Sequence, residues 1–355
     1  MTRVDCLIVG QGLAGTSLAW ALRREGVSFL IVDRDEPVTS SKIAAGLMTS
    51  VTGQRLVVSW RWDELWPAAS AFYREIEREL GETVFFPRPM VRLLTSPLEE
   101  EFVARRRAGE HARLIQPLST PLRDDWFAPA PSAIEFPEGG RLDVPRFLSL
   151  SREAFRRRGE FASTSLALPA GLEPTSGGVR VPALDLLADR VVFCQGIAAR
   201  DNPWLQRLRF NPARGEILTI RAPGLDEDRI VHRGLWLARQ SAETYRVGAT
   251  YDWKDLDVGP TAAGREELAA KLRELLRLPF EVVGHDAAIR PILHHLAPIA
   301  GFLPGSPRLG LFNGLGSKGA LQAPFFARQL AAHIVRGEPL DPEVDWKQRR
   351  DLAPA

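Results

Sequence analysis

The chain has 355 residues, of which 45% are hydrophobic and 25% charged, so it is long enough to form two domains of a soluble globular protein. Its 46 basic and 44 acidic residues give a formal net charge of +2, which argues against a surface built mainly for nucleic acid. No uninterrupted apolar stretch reaches the roughly 18 residues of a membrane span, and no secretion signal is recognisable at the first residues. We therefore expect a protein with no membrane span, located in the cytoplasm.

Only two cysteines occur, Cys6 and Cys194, and each lies inside an apolar run. This placement is typical of buried free thiols, and it suits a reducing compartment. No group of cysteines and histidines has the spacing of metal ligands, so no metal site is predicted.

The first elements predict a parallel strand–helix–strand unit. Residues 4–9 form an apolar strand, Ala14–Glu25 has a helical apolar face that ends at Gly26, and Val27–Asp33 forms a second apolar strand. A unit of this size, with both strands buried, is typical of a parallel sheet covered by helices.

The turn between the first strand and the helix reads Gly-x-Gly-x-x-Gly. Gly10 allows the tight turn, Gly12 allows close approach of a pyrophosphate, and Gly15 allows close helix–strand packing. The helix start offers free N–H groups to phosphates, while Asp33 can accept hydrogen bonds from a ribose. Arg34 could either stack on adenine or remain a solvated surface residue. The predicted dinucleotide contacts are Gly10, Gly12, Leu13, Ala14, Gly15, Asp33 and Arg34.

The middle of the chain has a different composition and predicts an inserted second domain. Residues 53–139 hold several tryptophans, proline-rich connections and two predicted helices, Ala68–Leu80 and Leu98–Arg113. After this stretch, Asp143 caps a helix that runs through Arg158.

The second half of the chain predicts several strands and two further helices. The strands that we expect to be solvated on one face alternate apolar and polar residues, as antiparallel strands do. The predicted elements in chain order are a strand Arg190–Cys194, strands Glu216–Arg221, Arg229–Leu237 and Thr244–Tyr251, a helix capped by Thr261 and ending near Arg277, a strand Leu309–Phe312 and a helix Leu321–Val335.

A second glycine-rich turn, residues 313–319, lies between the last strand and the last helix. A second helix start facing a cofactor ring would stabilise negative charge on a reduced flavin. This feature favours FAD over NAD, and no second Gly-x-Gly-x-x-Gly unit is present that could serve a nicotinamide cofactor.

With these pieces in order, the chain resembles the D-amino-acid oxidase (DAO) superfamily, nearest in pattern to glycine oxidase and sarcosine oxidase. The matching segments after the first fingerprint are Ser40–Gly46, Leu142–Pro145, Val191–Gly196, Ala213–Glu216, Ile289–Pro291 and Gly314–Gly319, the last followed by Ala323-Pro324. The resemblance implies an α/β fold in which a Rossmann-like, glutathione-reductase-type FAD domain is interleaved with an α+β substrate domain on a mostly antiparallel sheet. The implied FAD domain is 1–52, 140–210 and 285–355, and the substrate domain is 53–139 and 211–284.

The resemblance also implies one FAD and extends its predicted contacts. These further contacts are Ser40, Ser41, Lys42, Ala45, Gly46, Cys194, Gly196, Gly314, Gly316, Ser317, Lys318, Gly319 and Ala320. Because no cysteine or histidine occurs in Ser40–Gly46 or Gly314–Gly319, we expect the flavin to be bound non-covalently.

The implied reaction is hydride transfer from a small amine, an amino acid or N-substituted amino acid, to flavin N5. In glycine oxidase-like proteins the arginine matching Arg290 holds the substrate carboxylate, although a structural ion pair is the alternative. Lys318 could bind a carboxylate, assist electron transfer to oxygen, or remain a solvated loop residue. Tyr251 and His294 are the other candidate substrate contacts. The electron acceptor is oxygen or an unknown partner.

Other functions remain open at this point. The Gly314–Gly319 segment also resembles the oxidase domain of a bifunctional tRNA wobble-uridine modification enzyme, which cleaves a carboxymethyl group from an aminomethyl uridine. The near-zero net charge and the absence of a methyltransferase domain make nucleic acid an unlikely partner. A 2-hydroxy acid dehydrogenase and a non-catalytic flavoprotein are further alternatives.

Overall fold

The computed structural model describes residues 1–256, 259–349 and 352. Within these residues the chain forms seven α-helices and twenty β-strands. The helices are α1 (Leu13–Arg24), α2 (Ser40–Ile43), α3 (Trp62–Leu80), α4 (Pro97–Arg107), α5 (Val144–Arg157), α6 (Ala262–Leu275) and α7 (Gly319–Arg336). The strands are β1 (Thr2–Val9), β2 (Phe29–Asp33), β3 (Leu47–Thr49), β4 (Val51–Thr52), β5 (Val57–Val58), β6 (Phe85–Pro87), β7 (Met90–Leu94), β8 (Ser132–Phe136), β9 (Gly139–Leu142), β10 (Phe161–Ser163), β11 (Glu173–Thr175), β12 (Gly178–Val181), β13 (Leu186–Phe193), β14 (Ala213–Arg221), β15 (Ile230–His232), β16 (Trp236–Arg239), β17 (Thr244–Gly248), β18 (Glu281–Arg290), β19 (Ile299–Leu303) and β20 (Ser306–Asn313).

An eight-stranded sheet carries the dinucleotide fingerprint. Its parallel part runs β10-β2-β1-β13-β20, with the β11–β12 hairpin and β19 added antiparallel. The strands are rich in valine, isoleucine and leucine because helices and loops cover both faces. β1, α1 and β2 form the predicted parallel unit, and this order brings the turns after β1, β13 and β20 to one edge of the sheet.

A seven-stranded sheet forms the second layer. Its order is β18-β14-β17-β16-β15-β7-β8, and every pair is antiparallel except β15 with β7. One face packs against α6 in a separate apolar cluster that includes Leu218, Val247 and Leu272. The other face is turned toward the first sheet. The predicted class, an α/β fold with a second, mostly antiparallel sheet, is confirmed.

Several predicted element boundaries are corrected. α3 begins at Trp62 rather than Ala68, because the helix continues through Pro67 and tolerates the loss of one backbone hydrogen bond there. The predicted strand Arg229–Leu237 is two strands, β15 and β16, joined by a turn in which Gly234 has a φ of 68°. The predicted helix Leu98–Arg113 corresponds to α4, which ends at Arg107 rather than at Arg113. Asp143 and Thr261 cap α5 and α6 as predicted.

The domain boundaries remain a proposal, and two of them need adjustment. The boundary at residue 285 falls inside β18, which pairs with β14 over its whole length, so β18 belongs to the seven-stranded sheet. α3 was assigned to the substrate domain, yet its Tyr73 hydroxyl donates to the Ala320 carbonyl of α7. We therefore propose that α3 belongs with the eight-stranded sheet.

Both cysteines are buried and unpaired, as predicted. Burial raises the pKa of Cys6 to about 12. Among the helices of the described residues, none combines the length and apolarity that crossing a bilayer requires. The described residues also contain no cluster of potential metal ligands.

Candidate active site

A cavity of about 870 Å³ lies between the two sheets. It extends from the turn after β1, past the turns after β13 and β20, to the inner face of the seven-stranded sheet. This elongated shape, with glycine turns along one wall, fits an extended dinucleotide such as FAD.

Two glycines of the fingerprint make the turn after β1 possible. A Cβ on Gly10 would lie 2.5 Å from the Cys194 carbonyl oxygen, and Gly10 has a φ of 105°. A Cβ on Gly15 would lie 1.9 Å from the Gly10 carbonyl oxygen. Any larger residue would therefore separate α1 from the turn, so these glycines keep the start of α1 at the cavity wall.

The start of α1 is held by short polar contacts. Asp33 accepts a hydrogen bond from the Gln11 N–H at 2.6 Å, and Ser41 Oγ accepts one from the Leu13 N–H at 3.1 Å. The Arg152 guanidinium lies 3.9 Å from Asp33. Asp33, Ser41 and Arg152 all line the cavity, and they fit the ribose and phosphate end of a dinucleotide.

The turn after β20 is joined to the turn after β13 by Asn313. Its side-chain amide donates to the Gly196 carbonyl at 2.9 Å, and its side-chain oxygen accepts from the Gly314 N–H at 2.8 Å. This pairing fixes the start of α7 at the cavity wall, where residues 315–320 line the space. A helix start in this position supplies the positive end of a dipole to a bound ring.

Arg290 lies at the opposite side of the cavity, at the end of β18. Its guanidinium stacks on the Tyr251 ring, 4.0 Å from the ring centre, and lies 3.4 Å from the Thr250 carbonyl oxygen. Among the described residues no carboxylate lies within ion-pair distance of it. Burial lowers its pKa, yet an arginine remains charged in proteins. The guanidinium is therefore a half-buried positive charge that faces the cavity without a carboxylate partner among the described residues.

Gly215 provides the space for this guanidinium. It lies on β14, next to β18, and a Cβ at this position would be 2.0 Å from an Arg290 Nη. The Tyr251 hydroxyl in turn lies 2.9 Å from Ser317 Oγ. Tyr251 thus bridges the seven-stranded sheet and the turn that precedes α7.

Lys318 also faces the cavity, on the side of α7. Its Nζ lies 3.4 Å from Thr49 Oγ1, and the described residues place no carboxylate within ion-pair distance. Burial lowers its pKa to about 8. Lys318 is therefore a partly buried cation that can lose its proton near neutral pH, rather than a fully solvated loop residue.

Most of the predicted site residues line this one cavity. Those that do are Gly10, Gly12, Leu13, Ala14, Asp33, Arg34, Ser40, Ser41, Lys42, Ala45, Gly46, Cys194, Gly196, Tyr251, Arg290, Gly316, Ser317, Lys318, Gly319 and Ala320. Gly15 and Gly314 lie behind the wall, where they serve packing. Arg34 is exposed and paired with Glu36 at 2.9 Å, which agrees with a surface role.

His294 does not belong to the site. Its side chain is exposed and lies outside the cavity lining, because the chain leaves β18 at Pro291 and turns outward before β19. The prediction that His294 contacts substrate is therefore wrong.

Several cavity residues were missed from sequence, because they come from elements distant in sequence that meet only in the folded chain, or, for Gln11, from a variable position of the fingerprint. They are Gln11, Thr49, Arg92, Arg152, Gly215, His232, Trp236 and Asn313. Gly215 and Asn313 lie in segments that carried the family resemblance, so a closer alignment of those segments could have found them. Arg92 and His232 carried no signal.

Comparison with known proteins agrees with this geometry. The family described as "DAO: FAD dependent oxidoreductase" matches residues 5–333. The chain is 26% identical over 377 residues to the tRNA 5-methylaminomethyl-2-thiouridine biosynthesis bifunctional protein MnmC of Nitrosospira multiformis, covering 92% of this chain and 56% of that protein. The chain thus spans about half the length of the curated relatives of this kind that it matches.

Solved structures share the fold. Glycine oxidase from Geobacillus kaustophilus superposes with a TM-score of 0.80 at 20% identity, covering 96% of each chain. Iminodiacetate oxidase from Chelativorans sp. BNC1 superposes with a TM-score of 0.72 at 23% identity, covering 95% of this chain and 96% of that one. Because the family match extends over nearly the whole chain and the cavity fits its cofactor, this chain belongs to the DAO family of FAD-dependent oxidoreductases.

Proposed function

We propose that the protein oxidises a small amine that carries a carboxylate, an amino acid or N-substituted amino acid. The observation that carries this proposal is the Arg290 guanidinium, which faces the cavity without an anionic partner among the described residues. A guanidinium suits a carboxylate because it can donate two parallel hydrogen bonds to it. Two structural neighbours, glycine oxidase and iminodiacetate oxidase, are named for substrates of this kind.

FAD, when bound, supplies the hydride acceptor. We propose that its ribose and phosphates lie against Asp33, the start of α1 and Ser41, and its ring near the start of α7. The task of the chain is then to hold the substrate's C–H bond over the ring, with Arg290 fixing the carboxylate. Such positioning is a large source of rate acceleration and requires no general base.

The test is anaerobic mixing of the purified protein with a panel of D-, L- and N-methyl amino acids. Oxidised flavin loses its visible absorbance when it is reduced, so a substrate bleaches the protein. We expect bleaching by at least one carboxylate-bearing amine and none by the matching 2-hydroxy acids. Bleaching by hydroxy acids alone would overturn the proposal in favour of a hydroxy acid dehydrogenase, and a protein bleached by neither would not be an oxidase of either class.

A second candidate is oxidation of a modified uridine in tRNA. It is favoured by the 26% identity with the bifunctional tRNA biosynthesis protein over 92% of this chain. The expected substrate of that oxidase also carries a carboxymethylamine, so Arg290 would serve both reactions. Tight, salt-dependent tRNA binding together with bleaching by carboxymethylaminomethyl-uridine tRNA would favour this candidate over a free amino acid.

A further inference from the structure

The inner face of the seven-stranded sheet forms one wall of the cavity, and several of its strands contribute residues to that wall. Arg290 lies on the edge strand β18, and His232 lies on β15, four strands away in the order β18-β14-β17-β16-β15. With a strand spacing of about 4.8 Å, the two backbones are about 19 Å apart. Both residues line the cavity. The cavity, which FAD and substrate would share, therefore extends about this far beneath the sheet.

His232 is a polar side chain with no protein partner. Its Nδ1 is buried without a hydrogen bond. Burial lowers its pKa to about 4, with the nearby Arg92 adding to the effect, so the ring is neutral at physiological pH. A buried polar group without a partner destabilises the fold, and an apolar residue would fill this wall at lower cost.

The neighbouring strand places a neutral ion pair beside His232. Arg92 on β7 lies opposite His232 in the sheet, and its guanidinium pairs with the buried Glu99 at 2.5 Å. The Arg92 Nε is also buried without a partner. Because the charges of Arg92 and Glu99 balance and His232 is neutral, this end of the cavity offers hydrogen bonds without net charge.

From this arrangement we infer that His232, beside Arg92, forms a second polar subsite for a neutral hydrogen-bonding group, an amide or imide, at the far end of the substrate. The inference rests on the proposed function and makes it more specific. The substrate class becomes an amino acid whose N-substituent is long enough to cross the sheet and ends in such a group. A terminal carboxylate would suit the subsite less well, because the charge of Arg92 is already balanced by Glu99 and the carboxylate would add an uncompensated buried charge.

The test compares N-substituted glycines of equal arm length that differ only at the far end. One arm ends in a primary amide, one in an isopropyl group of similar shape, and one in a carboxylate; sarcosine serves as the short amine. The measured quantity is the half-saturation concentration for anaerobic bleaching. We expect the amide arm to saturate about three to ten times lower than the isopropyl arm, since one neutral hydrogen bond contributes about 0.5–1.5 kcal/mol.

Three variants test whether His232 causes the preference for the amide arm. His232→Phe should erase the ratio between amide and isopropyl arms, His232→Gln should restore part of it, and His111→Phe, a histidine outside the cavity, should leave it unchanged. Because the two half-saturation concentrations are compared within each variant, their ratio does not depend on any general effect of the substitution on turnover. Flavin content is measured for each variant.

The outcomes separate the two proposals. Bleaching by sarcosine without an amide preference, or a preference that survives in His232→Phe, would overturn the subsite alone. Loss of flavin in both His232 variants would overturn it in favour of a role in cofactor binding. Failure of these four amines alone would overturn the inference, whereas their failure together with the whole amino-acid panel would overturn the proposed function as well.

Discussion

At the scale of single residues, the site depends on the lack of a side chain at Gly215 as much as on the side chain of Arg290. The Arg290 guanidinium occupies the space that a Cβ on Gly215 would need, at 2.0 Å. The atom that would clash is the far end of a flexible side chain, so an added methyl group should displace Arg290 rather than disrupt the strand.

Gly215→Ala should therefore lose carboxylate recognition while keeping its fold. We expect the KM for carboxylate-bearing amines to rise by about tenfold or more, because misplaced charge-assisted hydrogen bonds lose roughly 1.5 kcal/mol or more. The melting temperature and flavin content should stay near those of the parent. Gly177→Ala, on the β11–β12 turn, is the control, because a Cβ there would meet only Thr175 Oγ1, at 4.0 Å. An unchanged KM in Gly215→Ala would mean that Arg290 does not hold the substrate.

Lys318 makes a prediction about pH. Burial lowers its pKa to about 8, so the ammonium is present below that pH and lost above it. If Lys318 helps to hold a carboxylate, the dissociation constant of methoxyacetate should rise as the pH increases through about 8, since this ligand itself does not titrate there. Flavin absorbance changes report the binding. Lys318→Met should bind weakly at every pH, and a wild-type constant that is flat from pH 7 to 9 would contradict this role.

The residues that sequence could predict are those whose identity alone indicates chemistry. The glycines of the first turn, Asp33 and Arg290 were predicted because their residue types match a spacing or a family pattern. His232 and Arg92 could not be, because only the register of β15 against β7 brings them together. His294 was a wrong prediction, because proximity in sequence to Arg290 does not determine on which side of a turn a side chain lies.

At the scale of elements, the start of α7 depends on a hydrogen bond from α3. Pro324 has no N–H, so the carbonyl of Ala320, four residues earlier, lacks its helical partner. The buried Tyr73 hydroxyl donates to that carbonyl at 2.7 Å. α3 therefore completes the first turn of the helix that faces the cofactor.

Tyr73→Phe tests this connection. Leaving the Ala320 carbonyl unpaired should lower the free energy of unfolding by about 1–3 kcal/mol and weaken FAD binding. Tyr245→Phe is the matched variant, because its buried hydroxyl donates to the Leu225 carbonyl in the other sheet. Denaturant unfolding and FAD titration should show similar destabilisation in both variants but weaker FAD binding only in Tyr73→Phe. Equal FAD affinities would contradict the connection.

The existence of the helices and strands was predicted from sequence more accurately than the residues at which they begin and end. The parallel unit β1-α1-β2 and the caps Asp143 and Thr261 follow from local patterns, so they were predicted correctly. The start of α3 and the division of β15 from β16 were not, because a proline in an early helical turn and a glycine in a tight turn each resemble the end of an element.

At the scale of the whole molecule, the cavity exists because two sheets face each other and are tied together at its rim. The Arg246 guanidinium on β17 donates to the Ile43 carbonyl at the end of α2, at 2.8 Å, and Tyr251 meets Ser317 on the opposite side. We propose that one sheet presents the glycine turns to FAD and that the other presents Arg290 and His232 to a substrate. The fold class and the separation into a cofactor domain and a substrate domain could be predicted from the family pattern. The length of the cavity beneath the seven-stranded sheet could not, because it depends on the order of the strands.

The central claim, that Arg290 recognises a substrate carboxylate beside the flavin, is tested most directly by one comparison. The rate of anaerobic flavin reduction is measured with a substrate found in the amine panel and with the same amine lacking its carboxylate, in the wild type and in Arg290→Ala. We predict that the wild type prefers the carboxylate-bearing amine by about a hundredfold or more, the equivalent of roughly 3 kcal/mol from two charge-assisted hydrogen bonds, and that Arg290→Ala loses most of this preference. An equal preference in both proteins would contradict the account.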